Sequence, residues 1–101
     1  MKKLSDDALF NALKILLINE FGDERIAEGI ARVVVEARNE GIIDFCMGPD
    51  GLEVWLVAKS KEEALDKLFQ WTVKHHMLGH IDDLTYRFMM WRMNQLAENL
   101  E

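Results

Sequence analysis

Apolar residues recur along the first twenty positions at the three- and four-residue spacing of a helix. Leu9, Phe10, Ala12, Leu13, Leu16, Leu17 and Phe21 share one broad face, while Ile15 and Ile18 fall on the far side. The first set is expected to be core and the second surplus to it. Ser5 opens this helix as an N-cap, with Asp6 and Asp7 over the positive end of its dipole, so a helix is expected over 5–21. Asp23 caps a second helix, over 23–40, in which Ile26, Ile30, Val33, Val34 and Ala37 form a narrow stripe. Opposite them Arg25, Glu28, Arg32 and Glu36 alternate in sign, which reads as a solvated face with Glu28 supporting Arg32 one turn on. Gly41 ends the helix.

The period then changes. Residues 42–47 and 52–58 are rich in Ile, Val, Phe and Trp, and Gly48-Pro49-Asp50-Gly51 between them supplies a preset turn, so a hairpin is expected over 42–58. A three-residue loop at 49–51 would set Phe45 opposite Trp55 and Ile43 opposite Val57, with Ile42, Cys46, Val54, Leu56 and Ala58 on the other face. Such a hairpin is apolar on both sides and requires cover on each. Ser60 and Glu63 form a capping box for a helix over 60–78 with Ala64, Leu65, Leu68, Phe69, Trp71, Thr72 and Leu78 on its apolar side, closed by Gly79.

Asp82 or Asp83 caps the last helix, over 82–99, which carries two apolar faces. The larger holds Tyr86, Met89, Met90, Met93, Leu96 and Ala97; the smaller, nearly opposite, holds Leu84, Phe88 and Trp91. The expected fold is therefore α+β and mainly helical, ordered ααββαα, with one central antiparallel β-hairpin packed by four helices. It is expected to form a single domain over 1–101, to which the closing Leu100-Glu101 is expected to add nothing.

Composition changes this picture little, but charge narrows the partners. Half of the 101 residues are apolar and 30% are charged, the balance of a globular chain. Of 12 basic and 18 acidic residues, the segment 42–58 holds Asp44, Asp50 and Glu53 and no base, and the formal net charge is −6. A nucleic-acid surface needs the opposite sign. No run of some 18 uncharged apolar residues is present for a membrane span, and no signal peptide is expected, because acids follow at Asp6 and Asp7 and Lys14 and Glu20 interrupt the apolar stretch behind them. The single cysteine cannot form an internal disulfide, which points to the reducing cytoplasm.

Candidate chemistry is sparse. His75, His76 and His80, with Asp82 and Asp83, would suit a metal if the helix ran through Gly79 to stack His76 under His80. A closed zinc site wants four ligands, and Gly79 is expected to break the register, so the histidines read as capping and surface residues. Cys46 could act as a nucleophile with a histidine base, but its place in a strand among apolar residues makes it a small core residue. Asp44 is the one charged residue on that hairpin face and would need a partner if buried. There is no phosphate loop, nucleophile elbow or paired-carboxylate motif, so no catalytic residue, cofactor or metal is expected. Four of the six methionines lie between 77 and 93, where they could fill a core or adapt to a partner.

The stretch Val34 to Glu63, with Glu40-Gly41-Ile42-Ile43, the turn Pro49-Asp50-Gly51, Val54 to Val57 and Ser60 opening a helix, resembles the recognition-helix end and wing of MarR-type winged-helix repressors. The resemblance spans about a third of the chain and implies a DNA-binding regulator. It departs from that pattern where Phe21 and Asp23 leave no room for a helix before the recognition helix, and where the wing carries acids. The main expectation is a small, non-enzymatic interaction or regulatory domain. It is expected to self-associate as a homodimer through Leu84, Phe88 and Trp91, assisted by Ile15 and Ile18, or to bind another protein; no nucleic-acid or membrane partner is expected. A degenerate winged-helix regulator and a small enzyme using Cys46, Asp44 or the histidines are the alternatives. Because attraction to phosphate supplies most non-specific DNA affinity, mixed-sequence duplex should show no salt-sensitive gel shift at sub-micromolar protein. Such a shift would restore the winged-helix reading.

Overall fold

The computed structural model describes residues 4–49 and 51–99, and of residues 46–48 and 51–56 the backbone alone. Four helices, α1 (Asp6–Phe21), α2 (Glu24–Asn39), α3 (Lys61–Met77) and α4 (Asp83–Glu98), and strands β1 (Ile43–Gly48) and β2 (Gly51–Leu56) follow in chain order ααββαα, with β1 against α2. Each helix starts where a short polar side chain satisfies an amide that the helix leaves free. Ser5 accepts from the Ala8 N–H, Asp23 from Arg25 and Ile26, Ser60 from Glu63, and Asp82 from Thr85. Of the two acids at the start of α4, Asp82 is thus the cap. Gly22 ends α1 with φ +69°, its N–H bonded to the Ile18 carbonyl, a conformation that favours glycine.

Helix α2 contacts every other helix as well as β1. Its buried residues are mostly small: Ala27, Gly29, Ala31 and Ala37, with Val33 and Arg38. On one side Leu9, Leu13, Ala31 and Phe45 form a cluster with Phe10, Leu17 and Val34 against it. On the other, Val33, Leu65, Ile81, Met89 and Met93 join α2 to α3 and α4. Ala37, Ile42 and Ala64 link the two. At Gly29 α4 lies directly against α2. A Cβ there would lie 2.7 Å from Cγ2 of Thr85, a buried residue whose branched side chain has little rotamer freedom.

The row expected to be solvated on α2 is instead largely engaged by neighbours. Lys14 of α1 lies 2.9 Å from both Glu24 and Glu28, and these carboxylates, Glu28 foremost, hold its ammonium above its ordinary pKa. Glu28 therefore faces Lys14 rather than Arg32, whose guanidinium sits 5.5 Å above the Phe10 ring. Arg38 is buried. Its Nη1 donates to the Leu4 carbonyl at 2.6 Å and its Nη2 to Asp6, whose second oxygen accepts from Asn39. The start of α1 is thereby tied to the end of α2. Arg38 Nε is buried with no partner among the described residues.

Strand β1 pairs antiparallel with β2, Gly48 with Gly51, Phe45 with Val54, Asp44 with Trp55 and Ile43 with Leu56. Two residues separate the strands, not the expected three, so every pair is shifted by one. The shift sorts the ladder: Ile43–Leu56, Phe45–Val54 and Met47–Leu52 are apolar throughout, while Asp44 and Cys46 pair with Trp55 and Glu53. Several residues expected in the core are on the surface. Leu16 and Phe21 lie at the two margins of the buried arc of α1, and Leu78 and Leu96 lie beyond the ends of the packed stretches of α3 and α4.

The contact at Gly29 sets a sign that helix propensity alone would reverse. Alanine favours a helix over glycine by about 1 kcal/mol. Overpacking against buried Thr85 costs about 1–3 kcal/mol, so Gly29→Ala should lower the urea midpoint. Adding Thr85→Ser removes the colliding methyl and should recover most of the loss. An unchanged or raised midpoint in the single variant would show that the two helices separate freely.

Candidate functional site

Two regions of the surface carry features that the core does not require. The first is the outer side of α4. Docking through Thr85, Met89 and Met93, all buried, turns Leu84 and Trp91 outward, at 57% and 56% exposure. Phe88 is half-buried between two rings, edge-on to Phe21 at 5.2 Å between centroids and 6.1 Å from Trp91. Beside these rings an apolar groove of about 150 Å³ is lined by Phe21, Ile30, Val34, Phe88, Arg92 and Leu96, among others. The residue from α1 that reaches this face is Phe21, which the sequence pattern assigned to the core. Ile15 is exposed and Ile18 half-buried on α1. Met89 and Met93 are core residues, whereas Met77 is the most exposed large apolar side chain among the described residues.

The second region lies where α3 ends. The helix stops at Met77, Gly79 takes φ +81°, and the His80 N–H returns to the His75 carbonyl. His76 and His80 therefore do not stack one turn apart. His76 lies flat on Tyr86, 4.1 Å between centroids, with its Nε2 2.7 Å from Asp83. It is His75 that meets His80, Nδ1 to Nδ1 at 3.0 Å, while its Nε2 lies 3.1 Å from Glu36 of α2. Lys74 holds both oxygens of that carboxylate, at 2.8 and 3.1 Å. Only a fold that lays the end of α3 across α2 brings these groups together, so spacing along the chain gave no sign of the triad.

The two imidazoles are set for a hydrogen bond. Their centroids are 5.2 Å apart, so the Nδ1 atoms lie near the line joining the rings and point at each other. A metal held at about 2 Å from each nitrogen would have to sit off that line, where neither lone pair is directed. Among the described residues no group of three or more His, Cys, Asp or Glu side chains is placed to hold a metal ion. The pair lines a cavity of about 580 Å³ together with Asp6, Asp7, Phe10, Arg32, Asn39 and Glu40.

Asp44 does not line the histidine cavity. It is half-buried and accepts from the Phe45 N–H at 2.8 Å, a local bond within β1. Cys46 pairs with Glu53 along the ladder, and its side chain lies outside the described ones. Comparison with protein-family models, with characterised proteins and with solved structures finds no match to this chain.

Asp82 anchors the turn that carries His80. Thr85, through its side chain and its N–H, holds the Asp82 carboxyl below the ordinary carboxylate value, and Arg25, 3.4 Å away, acts in the same direction. A carboxyl depressed in the folded state stabilises it above the unfolded pKa, and that contribution is lost as pH falls through the folded value. Asp82→Ala should therefore lower stability by about 1 kcal/mol near neutral pH, the usual worth of an N-cap. In urea titrations the gap from wild type should narrow between about pH 5 and pH 3. A gap that stays constant would assign the loss to something other than the ionised cap.

Proposed function

We propose that this chain is a small cytoplasmic protein-interaction domain that forms a homodimer through α4, with Leu84, Phe88 and Trp91 at the centre of the contact and Phe21 at its edge. The observation that carries the reading is the exposure of Trp91 next to the Phe88–Phe21 ring pair, on a helix whose opposite side is already buried. Three large apolar side chains in one patch contribute roughly 1.5–3 kcal/mol each when fully covered, enough for the core of a symmetric contact. A second copy offers the same patch, and its apolar groove is a ready recess for the partner's ring. The DNA-binding alternative draws less support: Glu28 and Glu36 on the would-be recognition helix already serve Lys14, Lys74 and His75. Among the described residues no helix is long and apolar enough to cross a membrane.

Trp91→Glu would place a charge at the centre of the contact, where loss of an anchor weakens association by about 2 kcal/mol or more, roughly 30-fold. Wild type should sediment as a dimer at high micromolar concentration. The variant should be monomeric with an unchanged far-UV circular dichroism spectrum. A monomeric wild type would overturn the reading, and so would a variant that unfolds, which would assign Trp91 to the fold of the single chain.

A further inference from the structure

The cavity at the end of α3 shares no lining residue with the α4 groove, so what it does stands apart from self-association. Its proton arrangement follows from the hydrogen bonds alone. A carboxylate only accepts, so His75 Nε2 must carry a hydrogen toward Glu36. In neutral His75 the Nδ1 then bears the lone pair. His80 Nδ1 faces it at 3.0 Å and must be the donor, because two lone pairs at that distance repel. The free lone pair of His80 is left on Nε2. His75 is largely buried, with 12% of its side chain exposed, whereas His80 is exposed and lines the cavity.

We propose that Glu36, His75 and His80 form a relay that makes His80 Nε2 a nucleophile toward small neutral or cationic acyl compounds in this cavity. As Nε2 attacks the acyl carbon, the bond to the leaving oxygen breaks and the alkoxide departs with its electron pair. His80 passes its Nδ1 hydrogen to His75 Nδ1, which leaves a neutral acyl-imidazole on His80 and an imidazolium on His75 beside Glu36. Water then cleaves the acyl–nitrogen bond. Its hydroxyl leaves with the acid, its other hydrogen goes to the alkoxide through solvent, and the His75 proton returns to His80. Lys74 holds the Glu36 carboxylate in place for this, and Arg32 and Asn39 on the cavity wall offer donors to the acyl oxygen. Asp6, Asp7, Glu36 and Glu40 make the wall acidic and disfavour anions.

The test uses hydrolysis of 4-nitrophenyl acetate at neutral pH, with Cys46→Ser as the parent because the chain's one cysteine would also react. His80→Gln should slow the reaction at least about tenfold. Glu36→Gln, which can still accept from His75 but carries no charge, should slow it at least about threefold, and His76→Gln should leave it unchanged. Mono-4-nitrophenyl succinate, an anion, should react more slowly than the acetate once each is scaled to its rate with free imidazole. Nitrogen-15 spectra of the imidazoles give a readout independent of rate, with the hydrogen of neutral His80 on Nδ1 and that of His75 on Nε2. Equal rates in the parent and His80→Gln, or a neutral His80 with its hydrogen on Nε2, would overturn the proposal.

Discussion

Helix α2 packs against α1, α3, α4 and β1 at once, and at Gly29 the Thr85 methyl of α4 already fills the place a Cβ would take. A helix can be touched on several sides only if its own side chains are short where neighbours come near. Ala27, Gly29, Ala31 and Ala37 meet that need along α2. Larger residues come from the neighbours instead: Leu9 and Leu13 from α1, Leu65 from α3, Met89 and Met93 from α4.

Both candidate regions are consequences of this packing. With Thr85, Met89 and Met93 committed to the core, the helical period of α4 leaves Leu84 and Trp91 on the outside and Phe88 between, where Phe21 meets it. On the other side, α3 crosses α2 so that Glu36 lies against Lys74 and His75, and the left-handed turn at Gly79 folds His80 back onto His75. The buried Arg38 performs a similar tie at the opposite end of α1, joining Leu4 and Asp6 to the last turn of α2. Three of these attachments converge on α2, which makes it the organising element in electrostatic as well as apolar terms.

Residue by residue, the legible part of the site was its apolar half. The two faces of α4 follow from a period of 3.6, so Leu84, Phe88 and Trp91 could be grouped without knowing what α4 packs against. The place of Phe21 in that group could not, because its position at the margin of α1 suits burial or exposure equally. The imidazole pair was hidden for a different reason. Spacing suggested His76 with His80 at one helical turn, but a single positive φ at Gly79 reset the geometry and paired His80 with His75. Glu36, 39 positions before His75, could be linked to it only in three dimensions.

The sequence by itself determined the four helices, the capping residues Ser5, Asp23 and Ser60, the turn near Pro49 and the surplus apolar face of α4, and it narrowed the cap of α4 to Asp82 or Asp83. All of these depend on interactions within a few residues, where backbone geometry fixes which side chains meet. The tertiary structure alone decided the strand register, the burial of Arg38, the close approach at Gly29 and the Glu36–His75–His80 contact. Each of these rests on groups far apart along the chain, and their distances are set by how the helices pack, a balance of many weak contacts that no local pattern encodes.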